Sequence, residues 1–196
     1  MDGSARRLAV VTAASSGIGL DLARQCAQNH YDLVIAAHDA AVFDAAEQLA
    51  AHGVTVSPVR CDLSKPEGVD ALHNAITARR KPVDILVAND GREALASDTH
   101  TRLKQARAYI EGTIDLIDRV SRSMRGRGNG RILITYSIAD VASNKAFLGS
   151  LTAALCRELR HTGIMVSCLA APHAQESVLA YQPRMAAPMS VQIAPL

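Results

Sequence analysis

The sequence lacks any apolar run long enough to span a membrane, and its N-terminus, MDGSARR, lacks the hydrophobic core of a secretory signal peptide. These two absences predict a cytoplasmic protein. A large excess of one charge is also missing, since 21 Lys and Arg face 19 Asp and Glu and the formal net charge is +2. Charge alone therefore suggests neither nucleic acid nor an anionic membrane surface as a partner.

Clustered cysteine and histidine are missing as well. The four cysteines include no Cys-x-x-Cys pair, which argues against a zinc site and against a disulfide framework and favours buried thiols. The seven histidines include no His-Glu-x-x-His motif. No metal site is expected.

What is present is an alternation of short apolar runs and longer amphipathic segments. The 196 residues, 48% of them hydrophobic and 20% charged, suit one soluble domain. The predicted strands cover residues 7–13, 32–37, 54–59, 84–88, 131–135 and 164–170. Between them, the segments 17–29, 40–52 and 102–124 carry apolar residues at helical spacing. This βαβ alternation predicts an α/β fold with a doubly wound parallel sheet in three layers. The domain is expected over residues 1–171, with a partly irregular tail over 172–196.

The most specific local motif is VTAASSGIGLDLA, in which the first predicted strand turns into a helix. Gly17 and Gly19 let backbone N–H groups approach a phosphate, and the helix N-terminus adds positive partial charge there. This pattern predicts a dinucleotide-binding turn. An ordinary strand-to-helix turn remains the alternative.

From about Leu8 to Pro172 the chain resembles the short-chain dehydrogenase/reductase family, as a divergent and shortened member with a truncated substrate region at its C-terminus. The family carries Thr-Gly-x-x-x-Gly-x-Gly at the turn, and here Ala13 replaces the first glycine. The stretch CDLS resembles the family element that contacts the adenine, and DILVANDG resembles the end of the fourth family strand. The resemblance implies a Rossmann-like NAD(P)-binding domain. The implied cofactor-binding residues are Thr12, Ser15, Ser16, Gly17, Ile18, Gly19, His38, Asp62, Asn89, Gly91 and Lys145.

The choice between NAD and NADP is made at the end of the second strand, where an acid favours the ribose hydroxyl of NAD and a base favours the 2′-phosphate of NADP. Ala37 and His38 occupy this corner, with Asp39 just beyond. The lack of an acid at Ala37 and a histidine able to become cationic favour NADP over NAD. A solvated loop histidine is the open alternative.

The family mechanism uses a Tyr as general acid/base, a Lys four residues later that lowers the Tyr pKa, a Ser that polarises the substrate carbonyl and an Asn on the long preceding helix. Lys145 matches the Lys and Ser137 the Ser, but Val141 stands at the Tyr position and Tyr109 at the Asn position. Tyr109 is the candidate replacement acid, and an aromatic residue packed along its helix is the alternative.

Two functions follow from these matches and departures. The first is an NAD(P)-dependent oxidoreductase acting on an alcohol or a carbonyl compound, with impaired catalysis. The second is a non-catalytic relative that binds a nucleotide or a partner protein. The apolar helix faces at 102–124 and after Lys145 correspond to those that pair in family dimers, so a homodimer or homotetramer is expected.

Overall fold

The computed structural model describes residues 6–89, 98–136, 150 and 153–170. Six strands and four helices alternate along these ranges, and residues 153–158 are also helical. The strands are β1 (Leu8–Thr12), β2 (Asp32–Ala37), β3 (Val56–Arg60), β4 (Val83–Asn89), β5 (Gly130–Tyr136) and β6 (Ile164–Ala170). The helices are α1 (Gly17–Gln28), α2 (Ala41–Ala50), α3 (Pro66–Ala78) and α4 (Thr99–Arg127).

The six strands form one parallel sheet in the order β3-β2-β1-β4-β5-β6. The chain runs outward from β1 to β3 and then crosses back to β4 on the other side of β1. Strand order therefore reverses between β1 and β4, and in sheets of this kind ligands bind outside the carboxyl ends of the strands at that point. The predicted α/β doubly wound fold is confirmed.

Two apolar clusters cover the two faces of the sheet, because neighbouring residues on a strand point to opposite sides. Leu8 and Val10 belong to the cluster packed under α3 and α4, whereas Ala9 and Val11 belong to the cluster under α1 and α2. Every residue of β1 is buried, as expected for a central parallel strand. The predicted three layers are confirmed.

The thiols of Cys26, Cys61 and Cys156 are buried and free, as expected. Burial raises the pKa of the Cys26 thiol to about 12, so this thiol stays protonated and unreactive at neutral pH. The side chain of Cys168 lies outside the described residues.

Within the described ranges, His, Cys, Asp and Glu side chains form no group of three that could hold a metal ion. In that same part of the chain, the helices are all too short or too polar to cross a membrane.

An ion pair and a hydrogen bond of the buried Asp32 connect the start of β2 with the segments that precede β3 and β4, at the amino ends of the strands. Asp32 accepts a hydrogen bond from the Thr55 backbone N–H at 3.0 Å and forms an ion pair with Lys81. Burial by itself raises the pKa of Asp32, but the hydrogen bonds from Lys81 and Thr55 outweigh it, and the pKa is lowered overall. This carboxylate lies at the edge opposite the β1–α1 turn, so its role is structural.

Candidate nucleotide-binding site

The turn between β1 and α1 leaves its backbone open to a ligand. Gly17 has φ +53°, and a Cβ built on it would meet nothing within 4 Å. Gly19 has no such room, because a Cβ there would lie 2.0 Å from the Ala13 carbonyl oxygen. Ser16, the N-cap residue of α1, makes no side-chain capping hydrogen bond, so its hydroxyl does not take up the helix N-terminal amides. A phosphate-binding turn needs three features: open space for the phosphate, a close contact between helix and strand, and uncapped amides at the helix N-terminus.

Ala13, which replaces the first family glycine, has φ +49°. This is the left-handed region, which L-residues other than glycine, asparagine and aspartate rarely adopt. From the sequence, the added methyl group suggests crowding of the turn or of a pyrophosphate. The structure adds that this alanine takes a backbone conformation that glycine adopts without steric penalty.

Asn89 at the end of β4 connects three strands at the carboxyl edge. The Thr12 hydroxyl accepts a hydrogen bond from the Asn89 N–H at 2.9 Å and lies 3.0 Å from the Asn89 carbonyl oxygen. The Asn89 side-chain amide donates to the Ala13 carbonyl at 3.3 Å, and the Thr135 hydroxyl on β5 donates to its Oδ1. Asn89 therefore holds the turn that follows β1 in register with β4 and β5.

Tyr109 on α4 contacts Asn89 from the face of the sheet that α3 and α4 cover. Its hydroxyl donates to the Asn89 carbonyl at 2.8 Å, and the residue is only 8% exposed within the apolar cluster under α3 and α4. The sequence alternative, an aromatic residue packed along its helix, describes this position well. A role for Tyr109 as a replacement acid stays a prediction.

The carboxyl ends of β2 and β3 form a second polar group, which faces the turn. The Ser15 hydroxyl donates to Asp39 Oδ2 at 2.9 Å, and the Ala41 N–H donates to Asp39 Oδ1 at 2.9 Å. His38 Nδ1 lies 3.7 Å from Asp39 Oδ2. Arg60 at the end of β3 donates from Nε to the His38 carbonyl at 3.3 Å. Ser15 and His38, both predicted cofactor ligands, are thus brought to one corner.

Asp62 lies in the connection from β3 to α3, at the same edge. Its Oδ1 accepts hydrogen bonds from the Ser64 N–H at 2.9 Å and the Ser64 hydroxyl at 2.7 Å. Lys65 Nζ lies 3.9 Å from its other oxygen. In the preceding residue, burial and then the Asp62 charge raise the pKa of the Cys61 thiol to about 11. The predicted adenine contact of Asp62 is compatible with this location.

Other predicted site residues are placed less fully. Ile18 is partly buried and packs against the cluster under α1 and α2. The predicted Ser137, Lys145 and Gly91, and the substituted Val141, lie outside the described residues. The sequence reasoning missed Arg60 and Thr135, since only the pairing of their strands with β2 and β4 brings them to the site.

Residues 7–181 match the short chain dehydrogenase family. The chain belongs to this family. The resemblance read from the motifs is therefore confirmed.

Relatives in the family are distant but extend over most of the chain. An uncharacterized oxidoreductase of Myxococcus xanthus is 28% identical over 177 residues, which cover 83% of this chain and 70% of that protein. Dehydrogenase/reductase SDR family member 4 of Rattus norvegicus is 29% identical over 182 residues, covering 85% of this chain and 65% of that protein. The chain thus spans about two thirds of the length of these relatives.

Among solved structures, L-sorbose reductase from Gluconobacter frateurii, complexed with NADPH and L-sorbose, superposes with a TM-score of 0.75. It is 29% identical, and the alignment covers 86% of this chain and 70% of that one. The same architecture therefore carries an NADPH site in that relative.

The described residues fit a nicotinamide dinucleotide. The open turn at Gly17 and the α1 N-terminus suit the pyrophosphate. The corner at His38 suits the adenosine ribose, and Asp62 lies at the edge where the family places the adenine. When bound, a nicotinamide cofactor supplies or accepts a hydride.

Proposed function

We propose that the protein is an NAD(P)-dependent oxidoreductase that acts on a small alcohol or carbonyl compound, with a chemical step much slower than is usual in its family. The observation that carries this proposal is the β1–α1 turn. The open space over Gly17 suits a phosphate, and the close contact of Gly19 with the Ala13 carbonyl brings the N-terminus of α1 near the end of β1.

The residues available for chemistry support binding better than proton transfer. By family resemblance, Ser137 polarises the substrate carbonyl and Lys145 holds the nicotinamide ribose. Neither is a suitable proton donor to an alkoxide, because a serine hydroxyl has too high a pKa and the lysine is engaged by the ribose. With Val141 at the family acid position, proton transfer has no evident donor there.

Tyr109 is the residue that could supply the missing proton. Its hydroxyl proton is directed at the Asn89 carbonyl, so donation to a substrate requires that this hydrogen bond break. Loss of a positioned acid/base typically lowers a rate by roughly 10²- to 10⁴-fold, while orientation by the remaining residues still contributes. Slow turnover with nucleotide binding intact is the expected behaviour.

The second candidate function is a non-catalytic family member that binds a nucleotide or a partner protein. The observation that favours it is the environment of Tyr109, which stands at the position of the family Asn. Its side chain is buried, and its hydroxyl is hydrogen-bonded to the Asn89 carbonyl. In this case nucleotide binding persists without measurable turnover.

A nucleotide titration tests both candidates at once. Purified protein is titrated with NADPH and with NADH while nucleotide fluorescence is followed, and saturable binding of at least one is expected. Failure of both to bind would contradict the proposal. Gly19→Ala is the matched variant, since its Cβ would displace the Ala13 carbonyl and so abolish binding.

Turnover then separates the two candidates. A panel of alcohols and carbonyl compounds is assayed with wild type, Tyr109→Phe and Lys145→Ala. Rates far below the ordinary 1–10³ s⁻¹ that fall further in Lys145→Ala would support the slow enzyme. Ordinary rates would overturn it, and their loss in Tyr109→Phe would identify a relocated acid.

A further inference from the structure

Arg60 is a cation at the corner where the adenosine ribose is expected, and no family motif identifies it. It ends β3 directly beside Ala37, the last residue of β2, with which it is in register. Ala37 belongs to the cluster under α1 and α2. Arg60 is exposed at this carboxyl edge.

One hydrogen bond orients the Arg60 guanidinium. Nε donates to the His38 carbonyl at 3.3 Å, which draws the side chain across the end of β2. Among the described residues, neither terminal amino group of Arg60 has a hydrogen-bond acceptor, and Arg60 forms no ion pair with a carboxylate there. A guanidinium held in this way presents the planar pair of donors that matches a phosphate.

Asp39, the carboxylate beside His38, is already engaged by donors of the protein. Asp39 accepts from Ser15 through one oxygen and from the Ala41 N–H through the other. Since Ala41 begins α2, the Asp39 charge faces the positive end of that helix. His38 also lies beside it at 3.7 Å. Asp39 is therefore compensated locally, and Arg60 is the charge that remains for a ligand.

We propose that Arg60 binds the 2′-phosphate of NADP(H), assisted by His38, and so selects NADP over NAD. This inference rests on the proposed function, because it assigns a specificity residue within the same nucleotide site. It also extends the preference read from His38 in the sequence. Here the preference depends on a strand residue whose position becomes evident only once β3 is paired with β2.

Adenosine 5′-monophosphate and adenosine 2′,5′-bisphosphate test the assignment without any turnover, since they differ only in the 2′-phosphate. Affinities of both are measured by calorimetry for wild type, Arg60→Gln and Arg24→Gln. Arg24 is the matched control, a partly exposed α1 arginine paired with Asp21. Wild type is expected to bind the bisphosphate about tenfold or more tightly than the monophosphate, and Arg60→Gln should bring this ratio close to one. Arg24→Gln should keep the wild-type ratio.

The alternative results are distinguishable. A wild-type ratio near one, with NADH or NADPH still bound, would overturn the assignment of Arg60 and leave the proposed function standing. An equal loss of both ligands in Arg60→Gln, with an unchanged circular dichroism spectrum, would also overturn it by indicating a general effect on the site. If no nucleotide of any kind binds to wild type, both proposals fail together.

Discussion

At the scale of single residues, Ala13 departs from the family pattern and adopts a positive φ of 49°. Glycine adopts a positive φ without steric penalty, whereas alanine in the left-handed region is disfavoured by roughly 1–2 kcal/mol. Here the strained residue is retained by its surroundings, because its carbonyl accepts from the Asn89 side chain and lies against Gly19. Strain of this kind persists only where neighbouring contacts determine the conformation.

Replacing Ala13 with glycine should stabilise the protein. Relief of the positive φ exceeds the added entropy of glycine in the unfolded chain, so Ala13→Gly is expected to raise the free energy of unfolding by about 0.5–1 kcal/mol. Urea denaturation measures this. The control is Ala14→Gly at the adjacent, fully buried alanine, which has no positive φ and should lose roughly 1–2 kcal/mol. A destabilised Ala13→Gly would show that the methyl group contributes packing of its own.

The part of the site that the sequence could predict is the part determined by the backbone. Gly17, Gly19, Thr12 and Asn89 lie at a turn and at strand ends whose positions follow from the alternation of strands and helices. Arg60 could not be predicted in this way, because its contact with His38 depends on the register of β2 against β3.

At the scale of elements, Gly112 allows α4 to approach the β3–α3 connection closely. A Cβ built on Gly112 would lie 1.8 Å from the Leu63 carbonyl oxygen and 3.2 Å from a Val69 methyl carbon. Helix propensity alone disfavours glycine at this position, so the close approach of the two backbones is the reason for its presence. Leu63 follows Asp62 directly, so the position of α4 supports the segment that carries Asp62.

Two glycine substitutions in the same helix should have opposite effects. Gly112→Ala is expected to lower the free energy of unfolding, since the overlap with a backbone oxygen outweighs a propensity gain of about 0.8–1.0 kcal/mol. Gly126→Ala has nothing within 4 Å of the new Cβ and should raise stability by up to about 1 kcal/mol. Thermal unfolding of the two variants compares them directly, and stabilisation by both would contradict the close approach.

Asp32 makes the contacts among the loops at the amino edge dependent on pH. Its pKa in the folded protein lies below its ordinary value of 3.8, so its contribution is present above that pH and is lost as pH falls through the lower folded value. Asp32→Asn should lose roughly 1–3 kcal/mol at pH 7. In urea titrations the gap between wild type and variant should narrow below pH 3.8. Asp21→Asn, at an exposed ion pair, should differ from wild type by less than about 0.5 kcal/mol throughout. A gap independent of pH would contradict this account.

The elements were predictable to the extent that their apolar patterns were continuous. β2 and β6 have the bounds expected from the sequence, residues 32–37 and 164–170. Helix α4 begins three residues earlier than its apolar spacing indicates, because Asp98 caps it by accepting from the Thr101 N–H at 2.8 Å. The helix is capped at its C-terminus by Gly128, with φ +63°. Several glycines occur in this basic segment, so the sequence does not indicate which of them ends the helix.

At the scale of the whole molecule, the apolar residues of α4 are not all fully buried within one chain. Leu116, Val120 and Met124 are buried, whereas Ile110 and Ile114 are only half-buried. This surface is consistent with the homodimer or homotetramer expected from the sequence. In the described part of the chain, Phe43 on α2 is the single large hydrophobic residue that is exposed.

Light scattering coupled to size exclusion tests this assembly. The mass is expected to be two or four times that of one chain, and Ile114→Glu should shift it towards the monomer because a charge on the shared face opposes association. Glu111→Gln, an exposed position on the same helix, should leave the mass unchanged. A wild-type monomer at every concentration would contradict the prediction.

The strand order also has a consequence for the protein during its synthesis. β1 can pair with β2 early, but its other edge stays open until β4 has been made, and 77 residues separate Thr12 from Asn89. At a translation rate of about 5–20 residues per second, that edge waits roughly 4–15 s for its partner. β1 is apolar except for Thr12, so the nascent chain presents an exposed, aggregation-prone strand during that interval. Chaperone capture on the ribosome should therefore be strongest before β4 emerges.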